Sequence, residues 1–222
     1  MARAKTKFVC QECGYVTTSW MGRCPECGNW NTLVEEVEVT AKAAAKSYLP
    51  TNNEKVKPRT IASVAQTKVE RLATGIREFD RVLGGGVVPG SLVLLGGTPG
   101  IGKSTILLDA GLRFAQRGIK VLYVSGEESE EQTAMRAVRL GGAHASDRLL
   151  IMTATDLDAI LAQANAVKPQ LLIIDSIQTM YNPELQTAAG SVGQVRECTA
   201  KLLQFAKTSG IAVMVIGHVT KD

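Results

Sequence analysis

Long apolar runs and aromatic residues are both scarce in this sequence. No run approaches the ~20 apolar residues that a helix needs to cross a bilayer, and aromatic residues make up only 5% of the chain. The basic residues within positions 1–7 are not followed by an apolar stretch, which excludes a secretory signal peptide. With 45% hydrophobic and 21% charged residues, the composition is that of a globular protein. We therefore expect a cytoplasmic chain whose core consists mainly of Val, Ile, Leu and Ala.

The net charge is also small, at +4 over 222 residues. Residues 1–60 hold nine basic and six acidic side chains, and residues 61–222 hold sixteen and fifteen. The larger segment therefore lacks a global basic field, and any contact with nucleic acid requires a patch assembled locally or by oligomerisation. An ordinary solvated surface accounts for most of the remaining charge.

The chain is long enough for one domain and a small appendage, and its composition changes along its length. Four of the five cysteines fall within residues 10–27, and residues 35–60 are charged, Ala-rich and without periodicity. Such a segment is too polar to bury itself and is typical of a linker. The predicted domains are therefore a small module over residues 1–34, a flexible linker over 35–60 and a larger domain over 61–222.

Short apolar runs alternate with amphipathic stretches of helical length in the larger domain. Runs of four to six apolar residues favour strands that are buried on both faces of a parallel sheet. The predicted strands span residues 92–95, 121–124, 149–152, 171–174 and 212–216, and the predicted helices span 104–116, 130–140, 156–166 and 192–207. This order predicts right-handed crossovers and an α/β fold with a mostly parallel sheet between helix layers.

A glycine-rich motif follows the first of these runs and opens a helix. Residues 97–104 have the pattern G-x4-G-K-[ST] of a phosphate-binding P-loop. Its glycines let backbone amides converge on an anion at a helix N-terminus, where the helix dipole adds positive charge. Lys103 would reach the β- and γ-phosphates of ATP, and the Ser104 hydroxyl would bind Mg²⁺. The alternative is a glycine-rich turn that happens to hold a lysine.

Asp175 directly follows the apolar run 171–174. A carboxylate at the carboxyl end of a buried strand emerges beside a P-loop, where it can hold the Mg²⁺ shell. An isolated Asp at such a position is more often a helix cap or a turn residue, but the P-loop upstream favours the metal role. The predicted ATP-binding residues are Gly97, Thr98, Pro99, Gly100, Ile101, Gly102, Lys103, Ser104, Thr105 and Asp175, of which Ser104 and Asp175 are the magnesium ligands.

Two glutamates, Glu127 and Glu128, follow the predicted strand 121–124 after a short turn. A glutamate at this strand end can orient and deprotonate the water that attacks the γ-phosphate. Acidic residues at the start of the next helix would also place glutamates here for a structural reason. We predict that Glu127 acts together with Lys103 in catalysis and that Glu128 is the second candidate. His218, after the last apolar run, is a candidate sensor of the γ-phosphate or a structural residue.

The N-terminal cysteines form two pairs, Cys10-x2-Cys13 and Cys24-x2-Cys27, separated by ten residues. Two such pairs supply four thiolates within tetrahedral reach of one zinc ion. A redox pair or two disulfides are the alternatives, and a chain without a signal peptide disfavours disulfides. We therefore predict a structural zinc site. Cys198 lies on the apolar face of a predicted helix and is expected to be an inert core thiol.

Several longer motifs surround these residues. The run T-G-I-R-E-F-D-R-V-L-G-G-G at 74–86 leads through V-P-G-S to the P-loop, and Y-V-S-G-E-E-S, I-D-S-I-Q-T and G-H-V-T-K follow at 123–129, 174–179 and 217–221. Together they resemble the bacterial RadA/Sms recombination and DNA-repair ATPases of the RecA-like superfamily. The four-cysteine module followed by Trp30 fits the same family, and it separates the chain from related clock and helicase ATPases.

The resemblance implies a RecA-like P-loop ATPase that hydrolyses ATP to drive branch migration of recombination intermediates. It also implies binding to single-stranded and branched DNA, a homo-hexamer in the full-length protein, and action alongside a RecA-type recombinase. Family members continue into further strands, a K-N-R-F-G motif and a Lon-protease-like domain. We therefore expect this chain, which stops at Asp222, to be a C-terminally truncated form.

The resemblance also suggests where DNA would bind. In RecA-like ATPases the loop that corresponds to residues 180–191 faces the ring centre, so this segment should approach the strand, with Arg196 as a phosphate contact. The alternative is a plain surface loop, with Arg196 paired to an acid on its own helix.

A function of another class remains open beside the motor. The chain would then be a zinc-dependent interaction module whose nucleotide site acts as a switch with little turnover. A P-loop kinase is a weaker third possibility, because the sequence contains no lid-like arginine cluster.

Overall fold

The computed structural model describes residues 6–37, 58, 60–65, 70–142, 147–185 and 187–218. Within these ranges the chain forms a small antiparallel sheet and a larger α/β domain. The small sheet contains β1 (Thr6–Cys10), β2 (Val16–Thr17) and β3 (Leu33–Val37), in the order β2-β1-β3. Residues 35–37, which the sequence places in the linker, belong to β3 and pair with β1, so the small module extends to Val37. Most of the remaining predicted linker, up to residue 60, lies outside the described residues, and its flexibility stays a prediction.

Helices and strands alternate in the larger domain. It begins with two short helices, α1 (Ile61–Ala65) and α2 (Arg77–Val82). The strands are β4 (Leu92–Gly97), β5 (Val121–Ser125), β6 (Leu149–Thr153), β7 (Leu171–Asp175) and β8 (Ala212–His218). The helices between them are α3 (Lys103–Gln116), α4 (Glu130–Arg139), α5 (Leu157–Val167) and α6 (Val192–Ser209). None of the helices in the described ranges is long and apolar enough to span a membrane.

In the described part of the chain, the central sheet has five parallel strands in the order β4-β8-β7-β5-β6. The predicted α/β fold is therefore confirmed, and each predicted strand and long helix lies within two residues of its predicted bounds. The strand order itself could not be read from the sequence. β4 and β5 are consecutive in the chain, yet β8 and β7 lie between them in the sheet.

Helices cover both faces of the sheet, so β5 and β7 are buried along their whole length. This explains their continuous apolar sequences, since neither face meets water. One core contains side chains of α3 and of alternate strand residues: Leu107, Leu108, Tyr123, Ile173 and Met214. The other contains side chains of α5, α6 and the intervening strand positions: Val124, Ile160, Ile174, Leu202 and Val215. Each fully buried side chain of this size contributes roughly 1.5–3 kcal/mol relative to exposure.

The parallel order places the carboxyl ends of four neighbouring strands at one edge of the sheet. Gly97 of β4 is in register with His218 of β8, and Ser125 of β5 is in register with Asp175 of β7. Ligands of open α/β sheets bind outside the carboxyl ends of the strands. The fold therefore gathers the candidate residues of four separate motifs at the edge where a ligand is expected.

Candidate nucleotide-binding site and metal centre

The P-loop connects β4 to α3 and holds the Lys103 side chain inside it. Only 6% of Lys103 is exposed. Its ammonium group donates hydrogen bonds of 2.8 Å to the carbonyl oxygens of Gly97 and Thr98. Gly102 precedes the helix at φ 98° and supplies no side-chain cap. The first amides of α3 therefore remain available to an anion, as a phosphate-binding loop requires.

A cavity of about 620 Å³ lies beside the P-loop and is lined by Ile101, Lys103, Thr105 and Ile106 among other residues. At Gly100 and Gly102 no heavy atom lies within 4 Å of the position that a Cβ would occupy. The loop thus leaves space over its backbone for a ligand. Residues 101–103 and 105 of the predicted loop line this cavity, and the contacts of residues 97–105 with ATP stay a prediction.

Ser104 and Asp175 meet at the start of α3. The Ser104 hydroxyl donates a hydrogen bond of 3.0 Å to Oδ1 of Asp175, which is only 7% exposed. Hydroxyl and carboxylate oxygens are the hard ligands that Mg²⁺ prefers, and Mg²⁺ typically takes one or two protein oxygens together with substrate phosphates. The donor set present therefore fits the predicted magnesium site.

Tyr123 of β5 is a residue of this site that sequence reasoning missed. Its hydroxyl donates a hydrogen bond of 2.5 Å to Oδ2 of Asp175, and only 1% of Tyr123 is exposed. Burial raises the pKa of the Tyr123 hydroxyl and the charge of Asp175 raises it further, so the hydroxyl stays protonated and acts as a donor. In the sequence, Tyr123 is one member of a strand with a continuous core pattern. Only the adjacency of β5 and β7 reveals its second role.

Glu127 faces the neighbours of Asp175. Its Oε1 accepts a hydrogen bond of 2.9 Å from the Ser176 hydroxyl and lies 3.5 Å from Nε2 of His218. About half of the Glu127 side chain is exposed. The carboxylate is thus held by one hydrogen bond and still open to solvent or to a substrate.

Glu128 is held differently, on the other side of the turn. Its carboxylate forms an ion pair with Arg136 of α4. Its amide donates to Ser125 Oγ at 2.9 Å, and its carbonyl oxygen accepts from Thr153 Oγ1 at 3.2 Å. Glu128 therefore anchors the turn after β5, whereas Glu127 lies towards the site.

His218 ends β8, the strand next to the P-loop strand. The side-chain amide of Gln178 donates a hydrogen bond of 3.2 Å to its carbonyl oxygen. Nδ1 of His218 is buried and has no hydrogen-bond partner among the described residues, while Nε2 lies near Glu127. The structure thus brings His218 to the same edge as Lys103 and Asp175, and its role as a sensor stays a prediction.

The turn that carries Glu127 packs directly on the turn after β7. The Gly126 amide donates a hydrogen bond of 2.8 Å to the carbonyl oxygen of Asp175. The side chain of Thr179 occupies the space that a Cβ at position 126 would need, and Thr179 Oγ1 donates to the Ser176 carbonyl at 2.8 Å. Glycine at 126 therefore permits the close approach that brings Glu127 to Ser176.

The four N-terminal cysteines form a second centre. All four Sγ atoms lie within 4.8 Å of one another, with Cys10 3.7 Å from Cys27 and Cys13 3.6 Å from Cys24. Tetrahedral zinc with Zn–S bonds of about 2.3 Å requires sulfur atoms roughly 3.8 Å apart. The cysteines are not joined by disulfides, so the predicted four-cysteine metal site is confirmed and the disulfide alternative is wrong.

The thiols also show why this cluster needs a cation. At Cys10, burial acts to raise the pKa, but hydrogen bonds from the Thr32 side chain and from backbone amides outweigh it and lower the pKa to about 6. At Cys13, a backbone hydrogen bond acts to lower the pKa, but burial and the neighbouring thiols outweigh it and raise the pKa to about 12. The neighbouring thiols thus oppose deprotonation of Cys13, and a bound cation would favour its thiolate.

The candidate DNA loop, residues 180–191, is fixed at its base by the fully buried Gln194. The Asn182 amide donates to Gln194 Oε1 at 2.8 Å, and Gln194 Nε2 donates to the carbonyl oxygens of Asn182 and Thr187 at 3.3 and 2.9 Å. Gln186 lies outside the described residues. Three hydrogen bonds of the Gln194 side chain therefore hold the loop against the first turn of α6.

Lys201, two turns along α6, fixes the same segment. Its ammonium group donates to Asn182 Oδ1, Glu184 Oε2 and Asp158 Oδ1 at 3.0, 3.1 and 3.2 Å. Burial acts to lower the pKa of Lys201, but its bonds to Glu184 and Asp158 outweigh burial and raise it. The charge of Lys201 is thus compensated by acidic groups within the protein.

Arg196 remains exposed on α6. Among the residues that the structure describes, no acid forms an ion pair with Arg196. No such pair supports the alternative of a plain surface loop, and that alternative stays open beside the DNA contact. The side chain is available to contact a ligand, which the resemblance predicts to be DNA phosphate.

Comparison with known families covers most of the chain. The family described as "AAA domain" matches residues 57–222, which include the P-loop, Glu127, Asp175 and His218. The family described as "Rubredoxin metal binding domain" matches residues 8–35, which include all four clustered cysteines. These matches support nucleotide binding by the larger domain and zinc binding by the module.

Comparison with individual proteins points the same way. DNA repair protein RadA of Halalkalibacterium halodurans is 52% identical over 223 residues, which cover all of this chain and 48% of that relative. The proteins of the same name from Listeria monocytogenes and Bacillus subtilis are 49% and 48% identical, again over the whole chain and 48% of each relative. The chain therefore spans about half the length of these relatives. With its zinc-binding cysteines, its P-loop and its similarity to the RadA proteins, the chain belongs to the AAA-domain family.

Proposed function

We propose that this chain is the nucleotide-hydrolysing part of a DNA-repair ATPase in which Glu127 activates the attacking water. The observation that carries this proposal is the position of the Glu127 carboxylate, between Ser176 and His218 at the edge where the P-loop and Asp175 meet. A general base must lie within hydrogen-bond distance of the water molecule that it deprotonates, so its carboxylate must be accessible to water. The carboxylate of Glu128 is in an ion pair with Arg136. Because this pair restricts the access of water to it, Glu128 is the weaker candidate.

The other residues divide the work of phosphoryl transfer. The buried ammonium of Lys103 would exchange its two carbonyl partners for the β- and γ-phosphate oxygens, and the amides at the start of α3 would bind the same anion. Ser104 and Asp175 would hold Mg²⁺, which neutralises charge that develops on the phosphates. His218 would register the γ-phosphate through its neighbour Glu127, because Nε2 lies 3.5 Å from that carboxylate.

The DNA part of the proposal rests on the relatives, which are named DNA repair proteins, and on the loop 180–191. Only a single turn of 3-10 helix, Ile177–Thr179, separates that loop from Asp175. A change at the Mg²⁺ ligand can therefore reach the loop over a few residues. We propose that a protein of the relatives' full length uses this link, as a cytoplasmic homo-hexamer acting with a RecA-type recombinase, to drive branch migration on single-stranded and branched DNA.

The test of the motor is steady-state ATP hydrolysis by a protein of the relatives' full length, with and without single-stranded DNA. A motor predicts that DNA raises the hydrolysis rate and that Glu127→Gln removes both the basal and the stimulated rate. Hydrolysis that is slow and indifferent to DNA would contradict the motor. The matched variant is Glu128→Gln, which keeps the same change of charge one residue away.

One observation favours the interaction module as a second candidate. The chain contains two tryptophans, and both are exposed on the zinc module, Trp20 at 58% and Trp30 at 70%. The Arg23 guanidinium lies 6.0 Å from the centre of the Trp30 ring. Both indole rings lie 3.7 Å from the position that a Cβ on Gly22 would occupy, so they form one exposed apolar patch, as interaction surfaces do. A nucleotide site that only switches this module would bind ATP without DNA-stimulated turnover.

A further inference from the structure

The carboxylate of Asp175 has each of its two oxygens assigned to a different hydroxyl. Oδ1 accepts from Ser104 at 3.0 Å, and Oδ2 accepts from Tyr123 at 2.5 Å. Asp175 and Tyr123 lie on adjacent strands, and Tyr123 is in register with Ile173, two residues before Asp175. Side chains two apart on a strand share one face, so both groups point to the α3 side of the sheet, where Ser104 lies.

The hydrogen bond from Tyr123 offsets part of the free-energy cost of burying the Asp175 carboxylate. Asp175 is only 7% exposed, and a buried carboxylate is stable only when hydrogen bonds or cations compensate its charge. The ammonium group of Lys103, the cation of the P-loop, is bonded to backbone carbonyls instead. The hydroxyl of Tyr123 is therefore the donor that holds Oδ2, and it leaves Oδ1 directed at Ser104.

The packing around Tyr123 makes this orientation rigid. Tyr123 is among the largest fully buried side chains and belongs to the core on the α3 side. Its ring cannot turn without displacing the close-packed side chains of that core. A donor on a fixed ring restrains the torsion of the carboxylate that accepts from it.

We propose that Tyr123 is a positioning residue that orients Asp175 for Mg²⁺ and thereby sets the metal affinity of the nucleotide site. This rests on the proposed function, in which Ser104 and Asp175 are the magnesium ligands. Residues that hydrogen-bond to the ligands of a metal orient those ligands, and their removal typically costs about 10–100-fold in metal affinity. Tyr123 acts through Asp175 and touches neither the nucleotide nor the metal.

The variant that tests this is Tyr123→Phe, because it removes the hydroxyl and keeps the ring that fills the core. The readout is the Mg²⁺ concentration at half-maximal binding of a fluorescent ADP analogue to the zinc-loaded 222-residue chain. We expect this midpoint to rise about 10–100-fold, while binding of the analogue without added Mg²⁺, the zinc content and the far-UV circular dichroism stay unchanged. Tyr15→Phe is the matched control for loss of a tyrosine hydroxyl, since Tyr15 belongs to the zinc module.

Asp175→Asn separates this inference from the proposed site. If Asp175→Asn raises the midpoint and Tyr123→Phe leaves it within twofold of the parent, the positioning role is overturned and the Mg²⁺ site stands. If neither substitution moves the midpoint, both are overturned. In the double variant we expect no rise beyond that of Asp175→Asn, because Tyr123 has nothing left to orient. A purely structural role would lower the denaturation temperature of Tyr123→Phe and leave the midpoint unchanged, which also overturns the proposal.

Discussion

The Ser104 hydroxyl donates a 3.0 Å hydrogen bond to Oδ1 of Asp175, a residue 71 positions further along the chain. This bond joins the P-loop helix to the central strand β7. The two motifs that the sequence predicts separately are therefore parts of one site. The consequences for binding, catalysis and stability can be tested residue by residue.

Lys103→Ala should weaken ATP binding by about 10–100-fold, since a hydrogen bond to a charged group contributes about 1.5–3 kcal/mol. The measurement is equilibrium binding of a fluorescent ATP analogue. Lys207→Ala, at an exposed position of α6, controls for the loss of one positive charge. Equal affinities of the two variants would contradict the assignment of residues 97–105 as a P-loop.

Glu127→Gln should lower kcat for ATP hydrolysis by about 10²–10⁴-fold, the usual contribution of a general base. ATP binding should be retained, because Lys103 and the α3 amides are intact. Glu128→Gln should reduce kcat less, since it weakens the ion pair with Arg136 and leaves the Glu127 carboxylate in place. The reverse order of the two effects, from single-turnover rates, would make Glu128 the base.

Zinc removal should unfold the N-terminal module and leave the α/β domain folded, because structural zinc contributes folding free energy directly. The two tryptophans of the chain, Trp20 and Trp30, both lie in this module, so their fluorescence reports on it alone. We expect one zinc per chain by elemental analysis and a fluorescence change on chelation, with far-UV circular dichroism largely kept. Cys24→Ser should lose the zinc and Cys198→Ser should keep it. Zinc bound equally by both variants would show that the metal lies elsewhere.

The α/β domain should become less stable in acid, because protonation of Asp80 removes a stabilising charge. Burial acts to raise its pKa, but hydrogen bonds from the Thr74 amide, at 2.6 Å, and from the Gly75 amide, at 3.0 Å, outweigh burial and lower it. A carboxyl group whose pKa is lower in the folded state stabilises the fold above its ordinary pKa of 3.8 and loses that contribution as the pH falls through the folded value.

Asp80→Asn tests this dependence by urea unfolding at several pH values. The variant should be less stable than the parent by about 1–2 kcal/mol at neutral pH, and the difference should shrink below pH 3.8. A difference that stays constant from pH 7 to pH 3 would show that the charge of Asp80 does not stabilise the domain.

In a protein of the relatives' full length, Arg196→Ala should weaken binding to single-stranded DNA and reduce the salt dependence of that binding, because it removes one phosphate contact. The matched control is Arg139→Ala on α4. Basal ATP hydrolysis and zinc content should not change in either variant. Unchanged affinity and unchanged salt dependence for Arg196→Ala would place the DNA elsewhere.

The sequence predicts those parts of the fold that depend on local pattern. Strands buried on both faces and helices with one apolar face leave a periodic record in the sequence, as β5 and α6 show. The four cysteines and the P-loop are similarly visible, since metal ligation and phosphate binding both require fixed spacings. What it does not contain is the order of strands in the sheet, because pairing between β7 and β5 depends on contacts distant in sequence.

The missed residues follow from that limit. Tyr123 matches the core pattern of β5, so its hydroxyl has no visible purpose until β7 is placed beside it. Glu127 and Glu128 are identical in chemistry, and only the directions of the turn after β5 and of Arg136 separate them. In the sequence, Gln194 and Lys201 are typical of solvent-exposed helix positions. In the structure they bind the loop 180–191, whose backbone path cannot be predicted from residue propensities.

The close packing of Gly126 against Thr179 links the variation of two positions that are far apart in sequence. A methyl group at 126 would displace the Thr179 side chain and break its bond to Ser176. Descendants of this protein that acquire alanine at 126 should therefore carry a smaller residue at 179 as well. In a library randomised at both positions and selected for function, the two sites should covary, with threonine at 179 recovered only beside glycine at 126.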